Sequence, residues 1–204
     1  MADEVPGQLA LVEAFANTVD VEEGTDELIS VERFQRWIAA QGRDEPVAPA
    51  DLDLAWQLRA ALRSELAAHD PDAPLVDPPK ATLDGTATVT ADGTATATAG
   101  DPRADLDRLA AGLPLRARFT DGGVGLAPTA GGVPGLLAEI VAAMVLAERD
   151  GIWARLKICR EDTCRWAYYD RSKNSSKCWC GASCGNRNKT RAYRQRRVIG
   201  SARA

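Results

Sequence analysis

The chain has 204 residues, of which 45% are hydrophobic and 26% are charged, as is ordinary for a globular protein. This length allows one domain with its own core, or one domain with a small additional module. The first residues carry acids and no basic leader, and the longest apolar stretch is too short to span a bilayer and contains Glu139. We therefore expect a cytoplasmic protein with no signal peptide and no membrane segment.

Three helices are predicted in the first 70 residues. The first covers residues 9–19, and the second, "SVERFQRWIAAQG", is ended by Gly42. The third lies in "PADLDLAWQLRAALRSELAAHD", where Asp51 can cap the helix. Four leucines of this third helix repeat on one face: Leu54, Leu58, Leu62 and Leu66.

The middle of the chain predicts strands followed by one more helix. Four prolines in "PDAPLVDPPK" indicate a connector. The stretches "TATVTADGTATATA" and "LRARFTDGGVGLAP" each place Asp-Gly between alternating residues, which is typical of β-hairpins. "PGLLAEIVAAMVLAERD" predicts a buried helix that ends at Gly151. The sequence thus favours an α+β body over residues 1–150 and a separate C-terminal module over residues 151–204.

Charge is divided unequally between these two parts. Residues 157–197 contain twelve Lys and Arg against three acids, a net charge of +9. Because the whole chain carries −4, the remainder carries −13. Such asymmetry favours a nucleic-acid-binding end attached to an acidic body. The two parts could also attract each other when nucleic acid is absent, which would make the body autoinhibitory.

All five cysteines lie in the basic part. Cys159 and Cys164 are separated by four residues, and Cys180 and Cys184 by three, with fifteen residues between the pairs. Two close pairs at this separation match a tetrahedral zinc site, in which four protein ligands would give a structural role. Cys178 could replace Cys180 as a ligand, or could be a free thiol beside the site. The only histidine, His69, is distant in sequence, so a mixed Cys/His site is not expected.

The stretches around the cysteines predict a small finger and a basic helix. "IWARLKICR" and "CRWAYYDRS" look like short strands, and "GNRNKTRAYRQRR" predicts a helix that runs from Gly185 to about Arg197. We expect four aromatic residues to supply the small core of the finger: Trp166, Tyr168, Tyr169 and Trp179. The candidate nucleic-acid contacts are the polar residues of the helix: Asn186, Arg187, Asn188, Lys189, Arg191, Arg194, Arg196 and Arg197.

The run "CGNR" at Cys184–Arg187, with its Trp-Cys pair before and its Arg-rich helix after, resembles the CGNR zinc-finger family. The stretches "ALVEAFANTVD", "FQRWIAAQG" and "DLDLAWQLRAALR" are similar to the ABATE domain that usually precedes this finger. The resemblance implies zinc ligation by the two cysteine pairs, DNA binding by the finger and a role in stress-related transcription in bacteria. This sequence departs from the family in the three-residue spacing of its last cysteine pair, where four is common, and in the additional Cys178.

A DNA-binding transcription regulator is the function that the sequence favours. An RNA-binding finger and a zinc-thiolate redox sensor are alternatives. No nucleophile–base pair or phosphate loop is evident, so we do not expect an enzyme. Because a single finger would bind weakly, a homodimer formed through the body is expected. Three residues of the body are candidate ligand contacts: Asn17, Trp37 and Trp56.

Overall fold

The computed structural model describes residues 5–70, 72–73, 101–121 and 123–201, without the side chains of residues 197–201. The predicted hairpin "TATVTADGTATATA" and most of the proline-rich connector lie outside these residues. The described elements are helices and short strands, in this order: α1 (Gly7–Ala16), β1 (Val19–Asp20), β2 (Thr25–Asp26), α2 (Val31–Ala40), α3 (Pro49–Ala68), α4 (Pro102–Ala110), β3 (Leu115–Thr120), β4 (Gly123–Pro128), α5 (Gly132–Arg149), a 3₁₀ turn (Trp153–Arg155), β5 (Leu156–Ile158), β6 (Ala167–Tyr169) and α6 (Ala182–Ser201).

The first three helices form where the sequence predicts them, with corrected ends. Helix α1 stops at Ala16, because the chain turns there into the β1–β2 pair. The start of α2 is stabilised by Ser30, whose hydroxyl accepts the backbone N–H of Arg33 at 3.3 Å. Gly42 follows α2 with a φ of +74°, which favours glycine. Asp51 caps α3 from inside its first turn, where its carboxylate accepts the N–H of Ala48 at 2.9 Å.

Helix α4 was not predicted. It is short and rich in charged residues, and Leu109 is its one buried residue. Its start has a recognisable signal, since Asp101 accepts the N–H of Arg103 at 3.0 Å and Pro102 occupies the first helical position. The second predicted hairpin is confirmed as the antiparallel pair β3–β4, in which Phe119 lies opposite Val124.

The main hydrophobic core lies between α1, α3 and α5, and it extends into the C-terminal module. The predicted leucine stripe of α3 contributes Leu58, Leu62 and Leu66, while Leu54 is only partly buried. The largest fully buried core residues from the other helices are Leu9, Phe15, Phe34, Ile38, Leu136, Leu137 and Ile140. Burial of each such side chain contributes about 1.5–3 kcal/mol to folding. None of the helices in the described ranges is long and apolar enough to cross a membrane.

The β5–β6 pair joins the body to the cysteine cluster. Side chains alternate between the two faces of a strand. On one face, Leu156, Ile158 and Ala167 enter the main core. On the other face, Tyr168 packs against the cysteines, and Lys157 lies opposite it in the register. The predicted class is therefore confirmed: helices and small antiparallel strand pairs, with a four-cysteine cluster near the C-terminal end that is followed by a helix. The boundary at residue 150 stays a prediction, because the core crosses it.

Candidate metal centre and basic helix

Four cysteines come together from two short segments. Cys159 directly follows β5, and Cys164 lies in the turn before β6. Cys180 is two residues before α6, and Cys184 is in its first turn. Their four sulfur atoms lie within 4.8 Å of one another. These are the four ligands that the sequence favoured. The Cys178 thiol is outside this group and donates to the carbonyl of Ser176 at 3.3 Å.

Backbone hydrogen bonds shape the loop between the first two cysteines. The carbonyl of Glu161 accepts the N–H groups of Cys164 at 2.8 Å and Arg165 at 3.0 Å. Arg165 adopts a φ of +52°, an uncommon value for a residue with a side chain, and this reverses the chain. The N–H of Cys180 donates to the sulfur of Cys159 at 3.5 Å, which links the two pairs directly.

The geometry fits a closed tetrahedral zinc site. Zinc–sulfur bonds of about 2.3 Å in a tetrahedron place the sulfur atoms about 3.8 Å apart. The sulfur of Cys180 lies 3.6 Å from that of Cys164 and 3.8 Å from that of Cys184. Thiolates are the soft ligands that zinc prefers, and four of them leave no position for a reacting water. The arrangement therefore suits a structural ion.

The pKa values of the clustered thiols also favour a bound cation. A hydrogen bond from Cys180, more than any other contact, lowers the pKa of Cys159 to about 5. Burial raises the pKa of Cys164 to about 12, and the shared hydrogen bond with Cys159 raises the pKa of Cys180. A negative charge on one thiolate thus disfavours ionisation of the next thiol. A divalent ion stabilises all four thiolates, and its binding releases protons because the thiols must be deprotonated to act as ligands.

Aromatic residues pack around the cluster, but not all as predicted. Tyr168 is buried against the cysteines and donates to the carbonyl of Lys177 at 2.6 Å. Trp179 packs on the same group. Trp166 is instead an exposed side chain, and Tyr169 packs on the main core, so the prediction that all four aromatics form the core of the finger was wrong for these two.

Helix α6 begins inside the metal centre and is tied to it by a buried carboxylate. Glu161 is fully buried and accepts hydrogen bonds from Asn188 at 2.7 Å and Arg191 at 3.0 Å. Burial raises the pKa of Glu161, but the contacts with Arg191 and Thr163 outweigh burial and lower it overall. The carboxylate therefore stays charged and holds the second and third turns of the helix.

The remaining polar residues of α6 differ in whether their side chains contact other parts of the protein. Arg187 donates to Glu22 at 2.8 Å and to Thr163 at 3.0 Å. Within the described part of the chain, no partner is found for four exposed residues of α6: Asn186, Lys189, Arg194 and Arg196. Arg197 belongs to the helix, and its side chain is outside the described part.

The candidate ligand residues of the body have structural contacts. The side-chain amide of Asn17 donates to the carbonyl of Ala167 at 2.9 Å and accepts its N–H at 2.8 Å. Trp37 stacks on Phe34 at 5.9 Å between ring centroids, and Trp56 packs against the main core. The structure does not bring these three residues together around either of its two described cavities.

Sequence reasoning missed the arginines that join the body to the finger. Arg63, buried in α3, donates to the carbonyls of Ala16 and Arg165, both at 2.9 Å. Arg160 forms two hydrogen bonds with Asp70, at 2.6 and 2.7 Å. The one signal in the sequence that could have pointed to Arg63 is an arginine within a leucine-rich helix, since a charged side chain needs partners if it is buried.

Comparison with known proteins agrees with this geometry. The chain has no match among curated proteins. Residues 155–197 match the family model described as the CGNR zinc finger. That range contains all four clustered cysteines and most of α6. Residues 155–197 are thus similar to CGNR zinc fingers, and the match and the four-thiol geometry together support a zinc-binding domain with a structural zinc ion on Cys159, Cys164, Cys180 and Cys184.

Proposed function

We propose that the protein binds DNA through helix α6 and acts as a transcription regulator, with the zinc ion holding the helix in position. One observation carries this proposal: Cys184, a zinc ligand, lies in the first turn of a helix whose following turns expose cations without a partner among the described residues. A metal ligand at that place fixes the direction of the helix. Phosphate groups are bound best by cations that are already positioned.

The exposed cations of α6 suit a polyanion better than a protein partner. Helix α6 spans 20 residues and so is about 30 Å long. Lys189, Arg194 and Arg196 are exposed on it, and Tyr193 is 55% exposed beside them. Because the helix has few apolar residues to bury, charge must supply most of the affinity.

The internal contacts divide α6 into an anchoring part and a binding part. Asn188 and Arg191 hold the helix on Glu161, so they serve mainly to position it. Asn186, Lys189, Arg194, Arg196 and Arg197 are then our proposed DNA contacts. Arg187 can join them only if it leaves Glu22.

The resemblance of the body to the ABATE domain supports a role in stress-related regulation, which we propose with the same function. The body would then dimerise, since one helix reaches only a short segment of DNA. RNA is the alternative ligand, because a basic helix contacts the phosphates of either polymer.

The experiment compares Arg194→Gln with Arg118→Gln. Both remove one exposed cation, the first from α6 and the second from strand β3 of the body. If Arg194 contacts a phosphate, its loss weakens duplex binding and reduces the slope of log K against log salt by about 0.9, whereas Arg118→Gln leaves both unchanged. Equal effects of the two substitutions would contradict the proposal. Tighter binding of structured RNA than of duplex DNA would favour the alternative.

A further inference from the structure

A cavity of about 320 Å³ lies between helices α3, α4 and α5 in the acidic body. Most of its wall is apolar, and six side chains form that part: Leu106, Ala110, Val141, Met144, Val145 and Trp153. Small-molecule sites are commonly apolar cavities of this size with a few polar groups that orient the ligand. The cavity lies apart from the cysteine cluster and from helix α6.

Acids outnumber bases in the remaining wall. Glu65, Asp107 and Glu148 line the cavity together with a single cation, Arg103. Arg103 donates to the buried carboxylate of Glu65 at 2.8 Å and lies 3.7 Å from that of Glu148. One guanidinium therefore faces three carboxylates, and the wall carries a net negative charge. Asp107 has no ion-pair partner among the described residues.

A buried histidine side chain lies next to Glu65, behind the wall. This residue, His69, lies edge-on to Trp153 at 5.4 Å, and its Nδ1 is 2.8 Å from the carbonyl of Leu156. Its Nε2 is buried without a hydrogen-bond partner in the described structure and lies 3.7 Å from the Glu65 carboxylate. One polar atom next to Glu65 is therefore unsatisfied among the described residues.

We propose that this cavity binds an organic ammonium ion with an aromatic or alkyl body. The apolar body would pack on Trp153 and Met144, and the ammonium group would donate to the wall carboxylates, of which Asp107 has no ion-pair partner among the described residues. An indole beside a cation adds a favourable electrostatic contact. An anion of the same shape would be repelled by the net negative wall. The proposal does not depend on nucleic-acid binding by α6.

Three probes of matched shape test the charge preference: 4-phenylbutylamine, 4-phenylbutan-1-ol and 4-phenylbutyrate. Calorimetric titration of the full-length, zinc-loaded protein should show saturable binding of the amine, at least tenfold tighter than that of the alcohol, and no binding of the carboxylate. Equal affinities for amine and alcohol would overturn the proposal, because the cavity would then be only apolar. Preference for the carboxylate, or no saturable binding of the amine, would overturn it equally.

Two neighbouring acids on α4 provide a matched pair of variants. Asp107 lines the cavity, whereas Asp105 pairs with Arg108 outside it. Asp107→Asn should weaken amine binding several-fold, and Asp105→Asn should not change it. Val145→Arg places a cation at a half-exposed position of the wall and should abolish amine binding while the protein stays folded. Unchanged amine affinity in Val145→Arg would place the ligand elsewhere and overturn the proposal.

Discussion

The guanidinium of Arg187 in helix α6 lies 2.8 Å from the carboxylate of Glu22 in the loop between β1 and β2. This ion pair connects the acidic body to the basic helix across 165 residues of sequence. The unequal charge of the two parts predicted such an attraction, and the pair gives it a specific place. Both side chains are partly exposed, so the pair is weak and can open.

Glu22→Gln should therefore strengthen nucleic-acid binding. The substitution frees Arg187 to contact a phosphate, and an exposed ion pair of about 0.2–1 kcal/mol corresponds to a gain of up to about fivefold in affinity. Fluorescence anisotropy with labelled duplex DNA measures the change. Glu23→Gln is the control, since it removes the same charge from the neighbouring exposed residue without touching Arg187. An equal gain in both variants would show that only net charge matters and that the pair is not inhibitory.

Asn17→Ala should destabilise the whole protein. Its amide makes two hydrogen bonds to Ala167, whose backbone is buried and would be left without partners. The expected loss is about 2–4 kcal/mol in the free energy of unfolding, measured by urea denaturation. Asn186→Ala, at an exposed amide of α6, should cost almost nothing. Similar midpoints for the two variants would contradict the role that we assign to Asn17.

Substitution of single cysteines should separate the ligands from the spare thiol. Cys180→Ser should lose tightly bound zinc, because one of the four thiolates is removed. Cys178→Ser should keep about one zinc ion per chain, since its sulfur lies outside the cluster. Metal analysis and the absorption of the cobalt-substituted protein report the two results. Zinc retained in Cys180→Ser but lost in Cys178→Ser would show that Cys178 is the zinc ligand and Cys180 the spare thiol.

Asp170 should make stability depend on pH in the acid range. Burial raises the pKa of this carboxylate, but hydrogen bonds from Ser172, Lys157 and Lys177 outweigh burial and hold its pKa at about 2. Because the pKa in the folded state lies below the unfolded value of about 3.9, the stabilisation is full above about pH 4 and is lost as the pH falls towards 2. Its size is about 2.5 kcal/mol.

The measurement is the difference in unfolding free energy between the wild type and Asp170→Asn, followed by denaturant titration from pH 6 to pH 2. Acid releases zinc from both proteins, so the difference isolates Asp170. We expect the wild type to be more stable at pH 6 and this advantage to disappear near pH 2. A difference that does not vary with pH would contradict the assignment.

The elements with local signals could be predicted from the sequence. Gly42 and the Ser30 cap mark α2, the Asp-Gly turn marks β3–β4, and the spacing of the cysteines predicts the zinc ligands. Helix α4 was not predicted because its nine residues bury little apolar surface, although Asp101 and Pro102 carry a start signal. Prediction succeeded here for elements whose cause lies within a few residues and whose apolar or turn pattern is strong.

Contacts between distant segments could not be predicted. The pairing of Asn17 with Ala167 joins residues 150 positions apart, and no local pattern requires it. The same holds for the cavity, whose wall takes Glu65, Asp107 and Trp153 from three separate regions. Trp37, a candidate ligand contact in the sequence, stacks on Phe34 of its own helix and also contacts Phe15 of α1, and only this second contact depends on the packing of distant segments.

Zinc-dependent binding of duplex DNA tests the central claim most directly. Labelled duplex is titrated over a series of salt concentrations with the zinc-loaded protein and with the same protein after chelation of the metal. Our account predicts that the loaded protein binds with an affinity that falls steeply as salt rises, and that removing zinc abolishes or greatly weakens binding because α6 loses its anchor at Cys184. No binding by the loaded protein at low salt, or equal binding with and without zinc, would contradict it.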